Sequence, residues 1–196
     1  MRALKQILFF IALAISCCSS FAQGLPPSVK FQRIVPPSGK AFFHVTGIAQ
    51  DKLGYMWFAT KKGLFRYNGY EMINYSYDPL DANSIPSDAL ETITIDTAGN
   101  IWLGSLGAGV FKFDPVHQKF TQYRHSQKEP NSLSADWVSV VKCDKQGNIW
   151  VGAGNGLDRF DPQTNSFIHY TSKKDDPATL SANEVVAIYQ DRKGTL

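Results

Sequence analysis

Only three cysteines occur in 196 residues, Cys17, Cys18 and Cys143. The first two sit in an N-terminal stretch that reads as removable, so the remaining segment keeps one thiol and has no internal disulfide. Cys143 lies between Lys142 and Asp144 at the end of an apolar strand pattern. No paired His or acid makes a nucleophile case, so it reads as a small buried thiol. Excess charge is also lacking: the net value is +3, and it drops to +1 if Arg2 and Lys5 leave with the leader. That balance offers no electrostatic case for nucleic acid or an anionic membrane surface. The histidines, His44, His117, His125 and His169, show no metal-ligand spacing, and the acid neighbours that hydrolysis needs are not patterned beside them. No cofactor, metal or catalytic residue is expected from these residues.

Long apolar runs are scarce as well. The run at 7–15 is preceded by Arg2 and Lys5 and followed by small residues up to Ser20, Phe21 and Ala22. It is shorter than the about 20 residues a membrane span requires. This is the pattern of a secretory signal peptide over 1–22, cleaved before Gln23. A rival reading makes Cys17 a lipidated residue, because Ala14, Ile15, Ser16 and Cys17 resemble a lipoprotein box. Either reading implies an exported protein.

What the chain does have is one phrase repeated. "DTAGNIWLG" at 96–104 returns as "DKQGNIWVG" at 144–152, with a further copy starting at Asp51 and another at Asp191, in steps of 45, 48 and 47. Periods of about 40 to 50 residues made of short strands are the mark of propeller blades. Within one copy, "ALETITID" (89–96), "NIWLG" (100–104), "GVFKFD" (109–114) and "KFTQY" (119–123) read as four strands separated by tight turns. The third copy reads the same way through "VSVVKCD", "NIWVG", "GLDRFD" and "SFIHY".

The repeated residues therefore have architectural roles. Gly54, Gly99, Gly147 and Gly194 occupy a hairpin position that calls for positive φ, and Asp51, Asp96, Asp144 and Asp191 can bond their own turn backbone. Trp57, Trp102 and Trp150 fall on the second strand, where one indole per blade packs against the next. The Asp-x-x-Gly turns lack the further acids of a calcium loop. The stretches "GSLGAG" and "GAGNG" are followed by strand patterns rather than helices, so they read as turns, not phosphate cradles.

The units "DKLGYMWFATKKGLFRYNGY", "DTAGNIWLGSLGAGVFKFDP" and "DKQGNIWVGAGNGLDRFDP", joined by "NSIPSD", "NSLSAD" and "ATLSAN", resemble the two-component regulator propeller repeat over about residues 30–196. Ala59 and Asn68 depart from the glycine and aspartate of the other copies. The resemblance implies an all-β propeller, a ring of about seven blades. This chain would supply three four-stranded antiparallel blades, over 37–80, 81–124 and 125–171, and the start of a fourth over 172–196. A segment at 23–36, with a strand at 28–34 carrying Phe31, would close the last blade. The resemblance also implies a periplasmic sensor region of a hybrid sensor histidine kinase, anchored by a downstream membrane span. Its partners would be the remaining blades of the same chain, a second copy as a homodimer, and a small-molecule ligand. A diguanylate cyclase output or a secreted propeller scaffold are the alternatives; a propeller lyase or glycosidase would need clustered acids or a His-Tyr pair.

The ligand is expected on the propeller face away from the Asp-x-x-Gly turns. There the aligned first-strand starts differ, as His44, Ala89, Trp137 and Glu184, and so do the loops between second and third strands, with Lys61 and Lys62, Ser105 and Leu106, Gly154 and Asn155. Aromatic, charged and amide groups together suit a polar ligand such as an oligosaccharide, with Trp137 stacking on a sugar face.

Overall fold

Alternation of apolar and polar residues in runs of four to six, punctuated by Gly and Asp turns, produces strands only. In this computed structural model, which describes residues 44–196, the described residues lie within one unit, Val35–Leu196. The leader, the 23–36 segment and its strand fall outside the described residues. The strands are β1 (Val45–Gln50), β2 (Met56–Thr60), β3 (Gly63–Tyr67), β4 (Met72–Tyr75), β5 (Leu90–Ile95), β6 (Ile101–Ser105), β7 (Val110–Asp114), β8 (Lys119–Tyr123), β9 (Val138–Cys143), β10 (Ile149–Ala153), β11 (Gly156–Asp161) and β12 (Ser166–Tyr170). They form three four-stranded antiparallel sheets, β1 to β4, β5 to β8 and β9 to β12, each strand pairing with its neighbour in sequence. Such consecutive four-stranded meanders are the blades of a β-propeller. No helix among the described residues is long and apolar enough to cross a membrane.

The Asp, Gly and Trp of each repeat form one device. Gly54, Gly99, Gly147 and Gly194 have φ of 90, 91, 87 and 92°, a region that costs glycine no Cβ clash. The Asp96 Oδ1 accepts the Asn100 backbone N–H at 2.8 Å, while its Oδ2 accepts the Trp102 indole N–H at 2.9 Å. Asp51 and Asp144 hold Trp57 and Trp150 in the same way, each at 2.8 Å. One carboxylate thus ties the turn to the second strand and satisfies an indole donor that burial would otherwise leave unpaired. A cation covers each ring from the cross-strand position: Arg66 over Trp57, Lys112 over Trp102 and Arg159 over Trp150.

Burial would raise the Asp144 carboxyl, but hydrogen bonds from Trp150, Asn148 and Gln146 outweigh it and hold the group below the usual carboxylate range. Its stabilising effect is therefore complete above the ordinary pKa of about 4 and is lost as pH falls through the lower folded value. Asp144→Asn is expected to cost about 1–3 kcal/mol at neutral pH. The gap to wild type should close as urea melts are repeated toward about pH 2.

The core lies between sheets. Trp57 and Trp102 are buried, and each reaches into the next blade, Trp57 edge-on to Phe113 and Trp102 tilted against Phe160 at 4.9 Å. A residue from each of the first two connections plugs its seam: Ile85 joins the cluster with Trp57 and Phe111, and Leu133 joins the one with Trp102 and Phe160. The connections are pinned alike, Asp88 and Asp136 accepting the N–H groups of Tyr77 and His125 at 2.7 Å.

The departure at Ala59 has a local explanation. Gly47 faces Ala59 across the first pair of strands, Thr92 faces Gly104, and Val140 faces Gly152. One member of each pair is glycine because the seam leaves room for a single side chain: a Cβ on Gly104 would lie 2.6 Å from both Thr92 and Val138.

The fourth repeat is only partly formed. Its turn closes, with the Gly194 N–H donating to the Asp191 carbonyl at 3.2 Å, and Lys145 Nζ of the third blade donates to the same carbonyl at 2.8 Å. Residues 184–190, which the sequence reads as a first strand, are not in a sheet. In the other copies the pairing strand begins five residues after the Asp, which here is Leu196.

Candidate functional site

Each first strand carries one extra residue near its start. The register slips between Val45 and Gly47, between Leu90 and Thr92, and opposite Gly152 and Ala153, so Thr46, Glu91 and Ser139 occupy the same bulge. A bulge leaves its residue out of the ladder and re-aims the side chain. Thr46 Oγ1 accordingly donates to the Leu90 carbonyl of the next blade at 3.0 Å, and Glu91 forms an ion pair with Lys61 of the preceding one.

Near these bulges several of the expected rim residues meet. Trp137, at the start of β9, makes an isolated antiparallel bridge with Leu106 of the preceding blade. Its carbonyl accepts the Gly154 N–H at 3.1 Å, and the Asp136 carbonyl accepts those of Gly107 and Gly109, both at 3.0 Å. Asn155 Nδ2 donates to the Ser134 carbonyl at 3.0 Å. In the first blade the Lys61 N–H donates to the His44 carbonyl at 3.3 Å. First-strand starts and second-to-third-strand loops do meet, both within a blade and across its neighbour.

The members differ in what they leave free. Trp137 is 58% exposed and Leu106 37% exposed, and the two form an apolar step on a polar rim. His44 and Lys62 are exposed, with His44 at φ 48°. Lys61 is half-buried and paired, and burial lowers its ammonium below the usual range. It is less available to a ligand than its sequence position implies. Glu184 is exposed on the segment of the fourth repeat that joins no sheet. Glu91 was not legible in the sequence, because strand alternation does not reveal a bulge. Asn155 and Ser134 also line a depression of ≈ 360 Å³ with His125, His169 and Thr171.

The histidines behave differently from the expectation that they lack acid partners. His117 Nδ1 lies 2.7 Å from Asp114 in an exposed turn, and His169 Nδ1 lies 2.6 Å from Asp158, which is fully buried. His169 and Asp158 are cross-strand partners eleven residues apart, so pairing register rather than sequence neighbourhood brings them together. No group of three or more potential metal ligands occurs among the described residues.

Comparison with known proteins agrees with this architecture. Residues 132–155, from the second connection through the third blade's second strand, match the family model described as Two component regulator propeller. The resemblance read from the repeats is thereby borne out. Among solved structures, the extracellular domain of a hybrid two component system from B. thetaiotaomicron is 28% identical, with a TM-score of 0.67 over 75% of this chain and 20% of that one. A second such extracellular domain from the same organism is 18% identical, with a TM-score of 0.60 over 76% of this chain and 19% of its own, and shares the fold. Virginiamycin B lyase from Staphylococcus aureus, 15% identical with a TM-score of 0.50 over 67% of this chain and 42% of that one, likewise shares the fold alone. The chain thus spans about a fifth of the length of the two B. thetaiotaomicron domains. A search of curated proteins finds no match.

Proposed function

We propose that this chain is the ligand-sensing, exported part of a bacterial two-component receptor, and that the ligand sits on the rim around Trp137. The observation that carries the reading is the 28% identity to the extracellular domain of a hybrid two component system across 75% of the chain. The remaining blades, a membrane anchor, a histidine kinase output on the far side of the membrane and a homodimeric arrangement belong to the same proposal.

The rim favours a polar ligand with flat apolar faces, as an oligosaccharide has. Trp137 offers an exposed indole beside Leu106, while Asn155, His44 and Lys62 supply hydrogen-bonding groups on the rim. The test is calorimetric titration of an oligosaccharide panel into the complete receptor and into its Trp137→Ala variant. The variant is expected to bind about tenfold more weakly, the loss of one stacking contact of about 1.4 kcal/mol. Unchanged affinity would remove Trp137 from the site, and no binding across the panel would overturn the oligosaccharide assignment.

A further inference from the structure

The third blade breaks the internal repeat at one buried position. Where the first and second blades have Phe65 and Phe111, it has Asp158, and where they have Asn74 and Gln122 across the strand pair, it has His169. A carboxylate replaces a phenyl ring at 0% exposure. Such a burial is tolerated only with full pairing. Asp158 Oδ1 faces His169 Nδ1 at 2.6 Å, and its Oδ2 accepts the Ser134 backbone N–H at 2.8 Å. His169 Nε2 faces the Pro130 carbonyl at 2.9 Å. Both Ser134 and Pro130 belong to the connection 124–137 between the second and third blades, the segment that ends at Trp137.

The hydrogen count determines what this arrangement can do. The Pro130 carbonyl can only accept, so Nε2 must carry a hydrogen. The Asp158–His169 contact needs a second hydrogen between its two atoms. Loss of one proton forces a lone pair against a lone pair at one of the two links. With the carboxylate charged, the hydrogen stays at Nδ1 and the Pro130 link is the one broken.

We propose that Asp158 and His169 form a proton-dependent latch that fastens the 124–137 connection, and with it Trp137, to the third blade. Burial lowers the imidazole pKa, but the hydrogen bond and charge of Asp158 and the Pro130 carbonyl outweigh it and leave His169 raised. The latch is closed below the ordinary histidine pKa of about 6.5 and opens as pH rises through the higher folded value. The other titratable groups lining the depressions that His169 borders are His125 and Glu129 of the connection, Tyr170 of β12 and Lys173 beyond it. Arg159, next along β11, turns instead over the Trp150 ring.

Residue-resolved amide exchange on the full chain, corrected for intrinsic rates, tests the latch without any ligand. The Ser134 amide and the Phe167 amide, which donates to the Asn131 carbonyl at 2.8 Å, are the reporters. Their protection is expected to fall about tenfold from about pH 5.5 to 8.5, with Val151 in the sheet centre unaffected. Asp158→Phe combined with His169→Gln rebuilds the Phe111–Gln122 pair of the second blade and should make the Phe167 protection independent of pH, the Ser134 amide having lost its acceptor in that variant. A flat wild-type profile, or the same pH dependence in the double variant, overturns the proposal. If that variant does not fold, titration of the His169 ring in the wild type decides: its midpoint must coincide with the loss of Ser134 protection, and separate midpoints overturn it.

Discussion

Trp102→Ala is expected to cost about 3–5 kcal/mol, the range for truncating a large buried aromatic side chain, whereas Trp150→Ala should cost less than half as much. The two tryptophans hold the same place in the repeat, with the same carboxylate on the indole N–H and a cation over the ring. They differ in what lies beyond. Trp102 is 1% exposed, stacks on Tyr123 at 5.7 Å and reaches Phe160 of the following blade. Trp150 is half-buried, meets Tyr170 of its own blade, and borders a depression of ≈ 430 Å³ with Leu157, Leu180 and Leu196. Within residues 44–196, truncation at 102 leaves a cavity inside a packed seam; at 150, which faces no complete following blade among the described residues, it enlarges a surface open to water. Urea unfolding of both variants measures the difference, and equal losses would show that the indoles stabilise their own blade rather than the seam.

The second large effect is expected at Gly104. Adding a side chain there drives a Cβ to 2.6 Å from Thr92 Cγ2 and Val138 Cγ1, with Val141 Cγ2 at 3.2 Å. Overpacking of this kind costs about 1–3 kcal/mol for Gly104→Ala and more for Gly104→Val. The first blade indicates how the clash is relieved, because there the larger partner sits on the second strand as Ala59 and the glycine on the first as Gly47. Combining Gly104→Ala with Thr92→Gly should therefore cost less than the sum of the single changes, with a coupling of about 1 kcal/mol. Thr92→Gly also removes the hydroxyl that accepts the Val141 N–H at 3.3 Å and adds a flexible residue to a strand, so recovery should be incomplete. Additive losses in the double-mutant cycle would mean that Val138, not Thr92, sets the limit.

Legibility of the fold followed from periodicity. The four segments read in each full copy coincide with β5 to β8 and β9 to β12 to within a residue. Strand alternation and Gly turns are local, and each repeat states them again, so an accident in one copy is outvoted by the others. The exception, the unpaired 184–190, is the case where local pattern needs a partner strand: a strand is a property of a pair, and the hydrogen bonds that define it come from elsewhere in the chain.

The candidate site was legible only in part. Variation among aligned loops pointed to Trp137 and Asn155, and the fold sets Gly154, next to Asn155, against the Trp137 carbonyl. Lys61 also stood out, but its pairing with Glu91 depends on a bulge that no residue type announces. The buried Asp158 was visible as a departure from Phe65 and Phe111 once the copies are aligned, yet its meaning rests on His169 and on two backbone groups of a connection more than twenty residues upstream.

By itself, then, the sequence determined the repeat, the strand boundaries, the turn glycines and the all-β class, because these depend on steric preference and on which face of a short segment is apolar. The tertiary structure alone decided which carboxylate holds which indole, which small residue yields at each seam, and which charges are neutralised before any ligand arrives. Those outcomes depend on groups brought within hydrogen-bond or van der Waals distance by pairing between segments, where a shift of one residue in register would exchange every partner.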